Sequence, residues 1–303
     1  MPNANVIEIN VGQVIRDRLP GLFRFIPKRV IRWVERVIRQ QELNDLLVAN
    51  AGKTGADFCR GILKSLGITM KIRFPERIPS RENRRILFVS NHPLGGLDGM
   101  ALIDLIHRYY GGQVWFIVND LLMAVKPLEN VFLPINKFGS QQRESARLIE
   151  EAFEGNDPII MFPAGLVSRY QTVSFNGIRQ KAVSDLPWRK TFINKCIKYK
   201  RDIVPMFFSG TNSMDFYRKA NLRKRLGIKF NIEMVLLPRE MLDAAGKTFV
   251  VTVGNIHPWA QLKGAAQDLT NAIKEEAYML CKEDAPLHDL PSAISADGAK
   301  NPY

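Results

Sequence analysis

From Arg84 onward, short β-rich runs alternate with helical segments, and this alternation constrains the fold more than any other feature of the sequence. The β-rich runs cover residues 86–90, 114–118, 131–135, 158–162, 203–208 and 248–253. Helical patterns lie between them, over residues 97–109, 141–153, 188–199 and 213–226, and a last one follows Trp259. Strands that alternate with helices favour an α/β domain in which a mostly parallel central sheet is flanked by helices.

The first 80 residues have a different character, because they are basic and mostly helical in pattern. Residues 1–90 carry 17 Lys and Arg against 8 Asp and Glu, whereas the whole chain of 303 residues has a net charge of +13. We therefore predict three parts: a basic helical N-terminal part over residues 1–80 that associates with a membrane, the α/β domain over residues 81–285, and a flexible tail over residues 286–303.

An apolar stripe runs along one helix of this N-terminal part. Its members recur at helical spacing, and they are Val30, Trp33, Val34, Val37 and Ile38. Such a stripe can pack on the α/β domain or lie on a membrane surface, and the sequence leaves both readings open. No run of about 18 apolar residues, the length that a spanning helix needs, occurs in the chain. We expect the chain to lie on a bilayer rather than to cross it.

The positive charge requires an acidic partner, and nucleic acid, anionic lipid and an acidic carrier protein all qualify. The three cysteines are far apart, and neither a Cys/His cluster nor an H-E-x-x-H motif occurs, so we expect no metal site. The glycine-rich loops of nucleotide-binding proteins and the G-x-S-x-G elbow of serine hydrolases are also missing from the sequence. We therefore expect a function without a bound cofactor.

The stretch ILFVSNHPLGGLDG, residues 86–99, carries the clearest chemical signal. A β-rich run ends at Asn91 and His92, passes a Gly-Gly turn, and reaches Asp98 where a helix begins. A neutral imidazole can remove a proton from an alcohol, and a carboxylate on its other nitrogen fixes the tautomer and stabilises the cation that forms. Taken alone, the same residues could simply cap a turn and a helix.

Three later blocks, together with Asn91-His92 and Asp98, resemble the glycerolipid acyltransferase family, which includes the lysophosphatidate acyltransferases. Residues 159–165, IIMFPAG, are similar to that family's Phe-Pro-Glu-Gly turn after a strand. Residues 131–137, VFLPINK, are similar to its strand that ends in an acceptor-binding Arg, with Lys137 in that place. Residues 203–210, IVPMFFSG, resemble its fourth block. The resemblance covers residues 80–255.

The resemblance implies an O-acyltransferase that moves a fatty acyl group from acyl-CoA or acyl carrier protein onto the hydroxyl of a lysolipid. It implies His92 as the general base and Asp98 as its support. It also implies an acceptor site, whose residues would be Asn91, Lys137, Phe162, Pro163, Gly165, Ser168 and Arg169. The partners would be an anionic membrane surface, the thioester donor and the lysolipid, with no nucleic acid, and the place would be the cytoplasmic face of a bacterial inner membrane.

Two departures from the family pattern matter. The spacer between His92 and Asp98 has five residues where the usual pattern has four, and Ala164 stands where most members have Glu. The second departure resembles the bacterial branch often described as hemolysin-like, which is associated with acylation of lyso-amino-acid lipids such as ornithine or glycine lipids. In that branch Ser168 and Arg169 would take over anion recognition, because Arg binds a carboxylate or phosphate with two parallel hydrogen bonds.

Two other classes of function remain alternatives. The longer spacer and Ala164 are compatible with a catalytically inactive lipid-binding relative. The net charge is compatible with a nucleic-acid-binding protein, although the sequence contains no recognisable nucleic-acid module.

Overall fold

The computed structural model describes residues 8–18, 20–119, 125–135, 141–175, 178–228 and 230–292. Its strands are β1 Thr69–Arg73, β2 Ile86–Ser90, β3 Trp115–Asn119, β4 Phe132–Ile135, β5 Ile159–Met161, β6 Arg169–Phe175, β7 Ile178–Ser184, β8 Asp202–Phe208, β9 Thr248–Val253 and β10 His288–Asp289. Its helices are α1 Val11–Arg18, α2 Pro20–Phe23, α3 Lys28–Ile38, α4 Gln40–Val48, α5 Gly55–Ser65, α6 Gly96–Tyr110, α7 Gln141–Glu154, α8 Thr191–Tyr199, α9 Met214–Arg225, α10 Leu237–Leu242 and α11 Ala266–Met279.

Eight of the strands in the described part of the chain form one central sheet, in the order β10-β1-β9-β8-β2-β5-β3-β4. Strand β2 lies inside it and pairs in parallel with both β5 and β8. Strands β3–β5, β3–β4 and β1–β9 are also parallel, whereas β8–β9 and β1–β10 are antiparallel. The predicted α/β architecture with a mostly parallel central sheet is confirmed.

The side chains of β2 show how the sheet separates two apolar layers. Ile86 and Phe88 belong to the core that α5 and α6 cover, whereas Leu87 and Val89 belong to the core on the other face, beneath α7, α8 and α11. All five residues of β2 are buried, as is typical of a parallel strand covered on both faces. Strand β2 therefore ends at the edge of the sheet between two layers of helices, and the loop that follows it begins there.

The N-terminal helices divide their apolar stripe between the core and the surface. Ile38 is buried and Val34 packs against the same core as α5 and α6. On the outer side of α3, Val30 is 45% exposed and Trp33 is 58% exposed. The apolar stripe therefore packs on the core along one side of α3 only, and its other side is exposed. No helix in the described ranges combines the length and the hydropathy that crossing a bilayer requires.

Two predicted assignments need correction. Residues 69–73, inside the predicted helical part, form β1, in which buried Met70 and Ile72 alternate with more exposed Lys71 and Arg73. Because Lys71 and Arg73 interrupt the apolar residues, the strand was not predicted, and in the structure it pairs with β9. His288 and Asp289, inside the predicted flexible tail, pair with β1, and an ion pair of 2.6 Å joins Lys71 to Asp289. The division of the chain into domains stays a prediction.

Candidate active site

The carboxyl ends of β2, β5 and β8 meet at one edge of the sheet, because the three strands are parallel. The loop after β2 carries Asn91 and His92, and the loop after β5 carries Phe162 to Gly165. Active sites of open α/β sheets form at this edge. The structure therefore brings together the blocks that the sequence comparison with the acyltransferases singled out, although they are some 70 residues apart in the chain.

His92 and Asp98 lie within hydrogen-bond distance of each other. Nδ1 of His92 is 3.0 Å from Oδ2 of Asp98, and the Asp98 side chain is fully buried, whereas that of His92 is 15% exposed. The backbone N–H groups of Leu94 and Gly99 also donate to this carboxylate, each at 2.9 Å. Asp98 lies in the first turn of α6, where the helix dipole stabilises negative charge. The carboxylate is thus held in place independently of His92.

The five-residue spacer folds back without preventing this pairing. Gly95 has φ = +90°, a conformation that side chains other than glycine rarely adopt. A β-carbon at Gly95 would also lie 2.9 Å from Leu237 of α10, too close for van der Waals contact. The Gly-Gly turn therefore takes up the extra residue, and the longer spacer is no argument against the pair.

Phe162 fixes the plane of the His92 ring. The two rings stack with centroids 4.0 Å apart and an interplanar angle of 16°. Phe116 of β3 meets Phe162 edge to face at 5.4 Å. With Asp98 on one edge of the imidazole and Phe162 on one face, the ring has little freedom to rotate. Phe162 therefore contributes to orienting His92, beside any contact it makes with an acceptor.

Asn91 is a link within the fold. Its side-chain amide donates to the carbonyl of Phe208 at 2.9 Å, and its oxygen accepts from the N–H of Phe208 at 2.7 Å. Asn91 is 3% exposed, so both polar ends of the side chain are used inside the protein. The expected contact of Asn91 with an acceptor has no support in this geometry. Asn91 instead ties the end of β2 to the end of β8.

Ser168 also acts within the loop rather than towards solvent. Its N–H donates to the carbonyl of His92 at 2.7 Å, and its hydroxyl donates to Oδ1 of Asp185 at 2.5 Å. Ser168 is 1% exposed. A hydroxyl held in this way has no free direction for an anionic headgroup. The geometry assigns Ser168 to the support of the backbone that carries His92.

Asp185, which the sequence analysis did not single out, is the centre of this support. Its Oδ1 accepts from the N–H of His92 at 3.2 Å and from Ser168, and its Oδ2 accepts from Nε1 of Trp188 at 2.8 Å. The N–H of Asp185 donates to the hydroxyl of Tyr278 at 2.7 Å. Asp185 is 1% exposed, so its carboxylate depends on these donors for stabilisation.

The position of Asp185 follows from the β6–β7 hairpin, which the sequence analysis also missed. The hairpin pairs Arg169 with Ser184 at its open end, and Asp185 comes directly after it. The sequence does carry a signal for such a hairpin. Asn176-Gly177 stands between two β-rich runs, and that dipeptide is a strong indicator of a two-residue hairpin turn.

Arg169 has an internal partner, contrary to the expectation that it binds an anionic headgroup. Its Nη2 donates to Oε1 of Glu233 at 2.9 Å, and its Nη1 donates to the carbonyl of Val167 at 2.8 Å. Arg223 lies 2.8 Å from the other oxygen of Glu233, which is fully buried. Burial lowers the pKa of Arg169, and the nearby Glu233 opposes that change. The positive charge of the guanidinium is therefore balanced by the carboxylate of Glu233 inside the protein, and little of the side chain is exposed to solvent.

The remaining residues of the predicted acceptor site form a tight turn. The N–H of Gly165 donates to the carbonyl of Phe162 at 2.9 Å, and Gly165 has φ = +67°. The carbonyl of Pro163 accepts from the N–H of Arg189 at 3.2 Å. Ala164 is buried in the core beneath α8, so its methyl group leaves no carboxylate at this turn. Lys137 lies outside the described residues.

The support role of Ser168 gives a prediction that differs from headgroup binding. Ser168→Ala removes one hydrogen bond worth about 1 kcal/mol, so turnover should fall about fivefold while the KM for the acceptor stays within about twofold. Asp185→Ala removes the acceptor of three donors and should reduce turnover more. Steady-state kinetics measure turnover and the acceptor KM of each variant. The control is Ser80→Ala, because Ser80 is an exposed serine in the loop before β2. A large rise in acceptor KM with unchanged turnover would assign Ser168 to the headgroup after all.

Comparison with known proteins identifies the family of the chain. The sequence profile of a family described as acyltransferase matches residues 13–285. A lyso-glycine lipid O-acyltransferase of Bacteroides thetaiotaomicron is 41% identical over 86% of this chain and 92% of its own length. The protein of the same name from Phocaeicola vulgatus is 40% identical over 86% of this chain and 89% of its own length.

Among solved structures, the 1-acyl-sn-glycerophosphate acyltransferase of Thermotoga maritima aligns with 90% of this chain and 92% of its own. The TM-score is 0.45 and the sequence identity is 14%.

An α/β sheet with a histidine–carboxylate pair at its carboxyl edge defines a class of enzyme in which a histidine can act as a base. Within that class, the chain belongs to the acyltransferase family, because the family profile spans most of it and two relatives match at 40% identity or more. The acyltransferase prediction is therefore confirmed at the level of enzyme class. This membership favours an enzyme over the nucleic-acid-binding alternative.

Proposed function

We propose that the protein transfers a fatty acyl group from a thioester to the hydroxyl of a lysolipid with an amino-acid headgroup, and that lyso-glycine lipid is its acceptor. The observation that carries the proposal is the pair of Nδ1 of His92 and Oδ2 of Asp98 at 3.0 Å, with the imidazole partly exposed at the sheet edge. The two relatives named as lyso-glycine lipid O-acyltransferases support the choice of acceptor, since they align over nearly their whole length.

The proposal gives each nitrogen of His92 one task, and the hydrogen bond to Asp98 supports this division. Because Asp98 occupies Nδ1, that nitrogen carries the proton and Nε2 is left as the base. Nε2 takes the proton of the acceptor hydroxyl as the oxygen attacks the thioester carbonyl. The C–O bond forms, the C–S bond then breaks, and the imidazolium returns the proton to the departing sulfur. The negative charge of Asp98 stabilises the imidazolium while it exists.

This chemistry needs only a proton acceptor and a bound thioester, so the proposal includes no metal ion and no cofactor. The donor is acyl-CoA or acyl carrier protein, both of which are anionic and suit a chain with a net charge of +13. Lys137 is kept as the residue that binds the headgroup's carboxylate, because in the family resemblance it stands in the place of the acceptor-binding Arg. Arg169 is not part of this proposal.

The place of the reaction is a membrane surface, because a lysolipid resides there. We place the protein as a peripheral enzyme on the cytoplasmic face of the bacterial inner membrane. The basic N-terminal helices support this proposal, with the exposed Val30 and Trp33 beside several Arg side chains on α3. An amphipathic basic helix of this kind binds at the interface of an anionic bilayer.

The acceptor is tested by thiol release from an acyl thioester, measured with a panel of lysolipids. Lyso-glycine lipid should accelerate thiol release, and lysophosphatidate should be at least about tenfold less efficient, because a site lacking the Glu of the usual turn is not arranged for that acceptor. Acyl-CoA and acyl carrier protein are compared as donors in the same assay. Absence of acceptor-dependent thiol release with every lysolipid would instead identify a catalytically inactive lipid-binding relative.

A further inference from the structure

Large exposed hydrophobic side chains are concentrated between the end of α9 and the start of α10. Phe230 is 82% exposed and Leu226 is 63% exposed, and Leu222, Ile232 and Val235 are each more than 40% exposed. Single exposed apolar residues are ordinary on a protein surface, but a contiguous group marks an interaction site. The charge of this segment and its neighbours indicates what it contacts.

Basic side chains flank these apolar residues. Met214, Arg218, Leu222 and Arg225 follow one another along the outer face of α9 at helical spacing, and all are exposed. The ion pairs among the described residues leave Arg218 and Arg225, and also Lys224, without a carboxylate partner. The exposed face of α9 therefore combines apolar contact area with unneutralised positive charge.

Helix α3 extends the same surface. It contacts α10 and the turn over residues 232–236, and its Trp33 is exposed. An open groove of about 380 Å³ lies between α3 and α10, lined by Trp33, Arg36, Val37, Arg39 and Arg239. We use the name apolar-basic face for residues 222–228 and 230–235, the outer side of α9 and this groove.

The apolar-basic face is directly connected to the active site. Buried Glu233, near the end of this segment, pairs with Arg169, which follows Ser168 in the chain. Leu237, at the start of α10, packs onto Gly95, three residues after His92. A lipid that leaves a bilayer at this face would therefore be close to the loop that carries the catalytic histidine.

We propose that the apolar-basic face is a docking surface for an anionic lipid bilayer, additional to the N-terminal helices, with Leu226 and Phe230 inserted below the headgroups. Exposed aliphatic side chains beside unpaired Arg and Lys match the two parts of such a bilayer, its apolar interior and its anionic surface. Phosphates of a nucleic acid would attract the charges but gain nothing from Leu226 or Ile232. The proposal rests on the proposed function in that the acceptor is a membrane lipid.

The test is cosedimentation with vesicles, measured without substrate. Leu226→Ser combined with Phe230→Ser should weaken partition into vesicles of phosphatidylglycerol and phosphatidylcholine about a hundredfold, because each large side chain contributes about tenfold and the two factors multiply. The matched control is Ile197→Ser, since Ile197 is 40% exposed on α8, which packs on the other side of the sheet. This control should bind like the unmodified protein. Replacing Arg218, Lys224 and Arg225 by Gln should weaken binding to these vesicles more than to pure phosphatidylcholine.

Four results separate the outcomes. Unchanged vesicle binding of the Leu226/Phe230 double variant would overturn the proposal, and loss of binding to an acidic acyl carrier protein in that variant would reassign the face to the donor. The double variant should still acylate a short-chain lysolipid that is monomeric in solution. If the unmodified protein binds vesicles through this face yet transfers no acyl group, the proposed function fails while the docking surface stands.

Discussion

Replacing His92 by alanine should lower the rate of acyl transfer by ~10²–10⁴, the usual contribution of a positioned general base. A hydroxyl acceptor keeps its proton at neutral pH, so its attack on a thioester requires proton removal as the C–O bond forms. His92 has the position for this step, with its ring fixed by Asp98 and Phe162 and partly open to solvent. The turnover number in the thiol-release assay measures the loss.

The fold should survive this substitution. The Asp98 carboxylate keeps the N–H groups of Leu94 and Gly99 as donors, so it is not left unpaired. The control is His107→Ala. His107 lies in the last turn of α6, roughly 14 Å along the helix from Asp98, and burial lowers its pKa. That variant should retain most of the activity. If His92→Ala keeps its circular dichroism spectrum and near-normal turnover, the histidine is not the base.

The sequence predicted those parts of the fold and the site that depend on local patterns. The β2 run is apolar throughout and ends in Asn91-His92, so its place as an inner strand and the position of His92 at the sheet edge could be inferred. The glycine turn and Asp98 follow within one short loop. Their pairing could be predicted because it needs no knowledge of distant segments.

The parts that the sequence did not predict depend on tertiary contacts. Asp185 supports His92 across 93 positions of sequence, and Asn91 bonds to the backbone of Phe208 across 117 positions. Nothing in the residues around Asp185 marks it as different from a solvated loop aspartate. Its three donors meet only when the hairpin of β6 and β7 folds beside the loop after β2.

Arg169 illustrates the opposite case. An Arg four residues after the Phe-Pro-Ala-Gly turn suggested anion recognition, since the type of residue fits that role. In the structure the guanidinium instead donates to a buried glutamate 64 positions later in the chain, at 2.9 Å, and this contact gives the headgroup role no support. The sequence could not show whether the charge meets a ligand or Glu233. Charge alone therefore identifies a candidate, and only the partner decides between binding and support.

The second large effect is expected for Asp98→Asn, and the hydrogen bonds of Asp98 explain why an isosteric change should matter. Oδ2 faces both Nδ1 of His92 and the N–H of Leu94, while Oδ1 faces the N–H of Gly99. An asparagine must place its NH₂ on one of these two sides. Towards Gly99, two donors oppose each other and the loop loses a backbone hydrogen bond. Towards His92, the NH₂ requires Nδ1 to accept, which moves the ring proton to Nε2 and removes the base.

Either arrangement also removes the negative charge that stabilises the imidazolium, so we expect turnover to fall by roughly 10²–10⁴. The loss in stability should be only about 1–3 kcal/mol, the cost of a donor left without an acceptor. Asp104→Asn on the same helix is the matched control, because Asp104 is also buried and pairs with Arg60 and Arg108, each at 2.9 Å, away from His92. Both variants should unfold at lower temperature than the unmodified protein, but only Asp98→Asn should lose acyl transfer when assayed well below its Tm. Equal turnover of the two variants would mean that Asp98 supports the fold of the loop and has no part in the proton transfer.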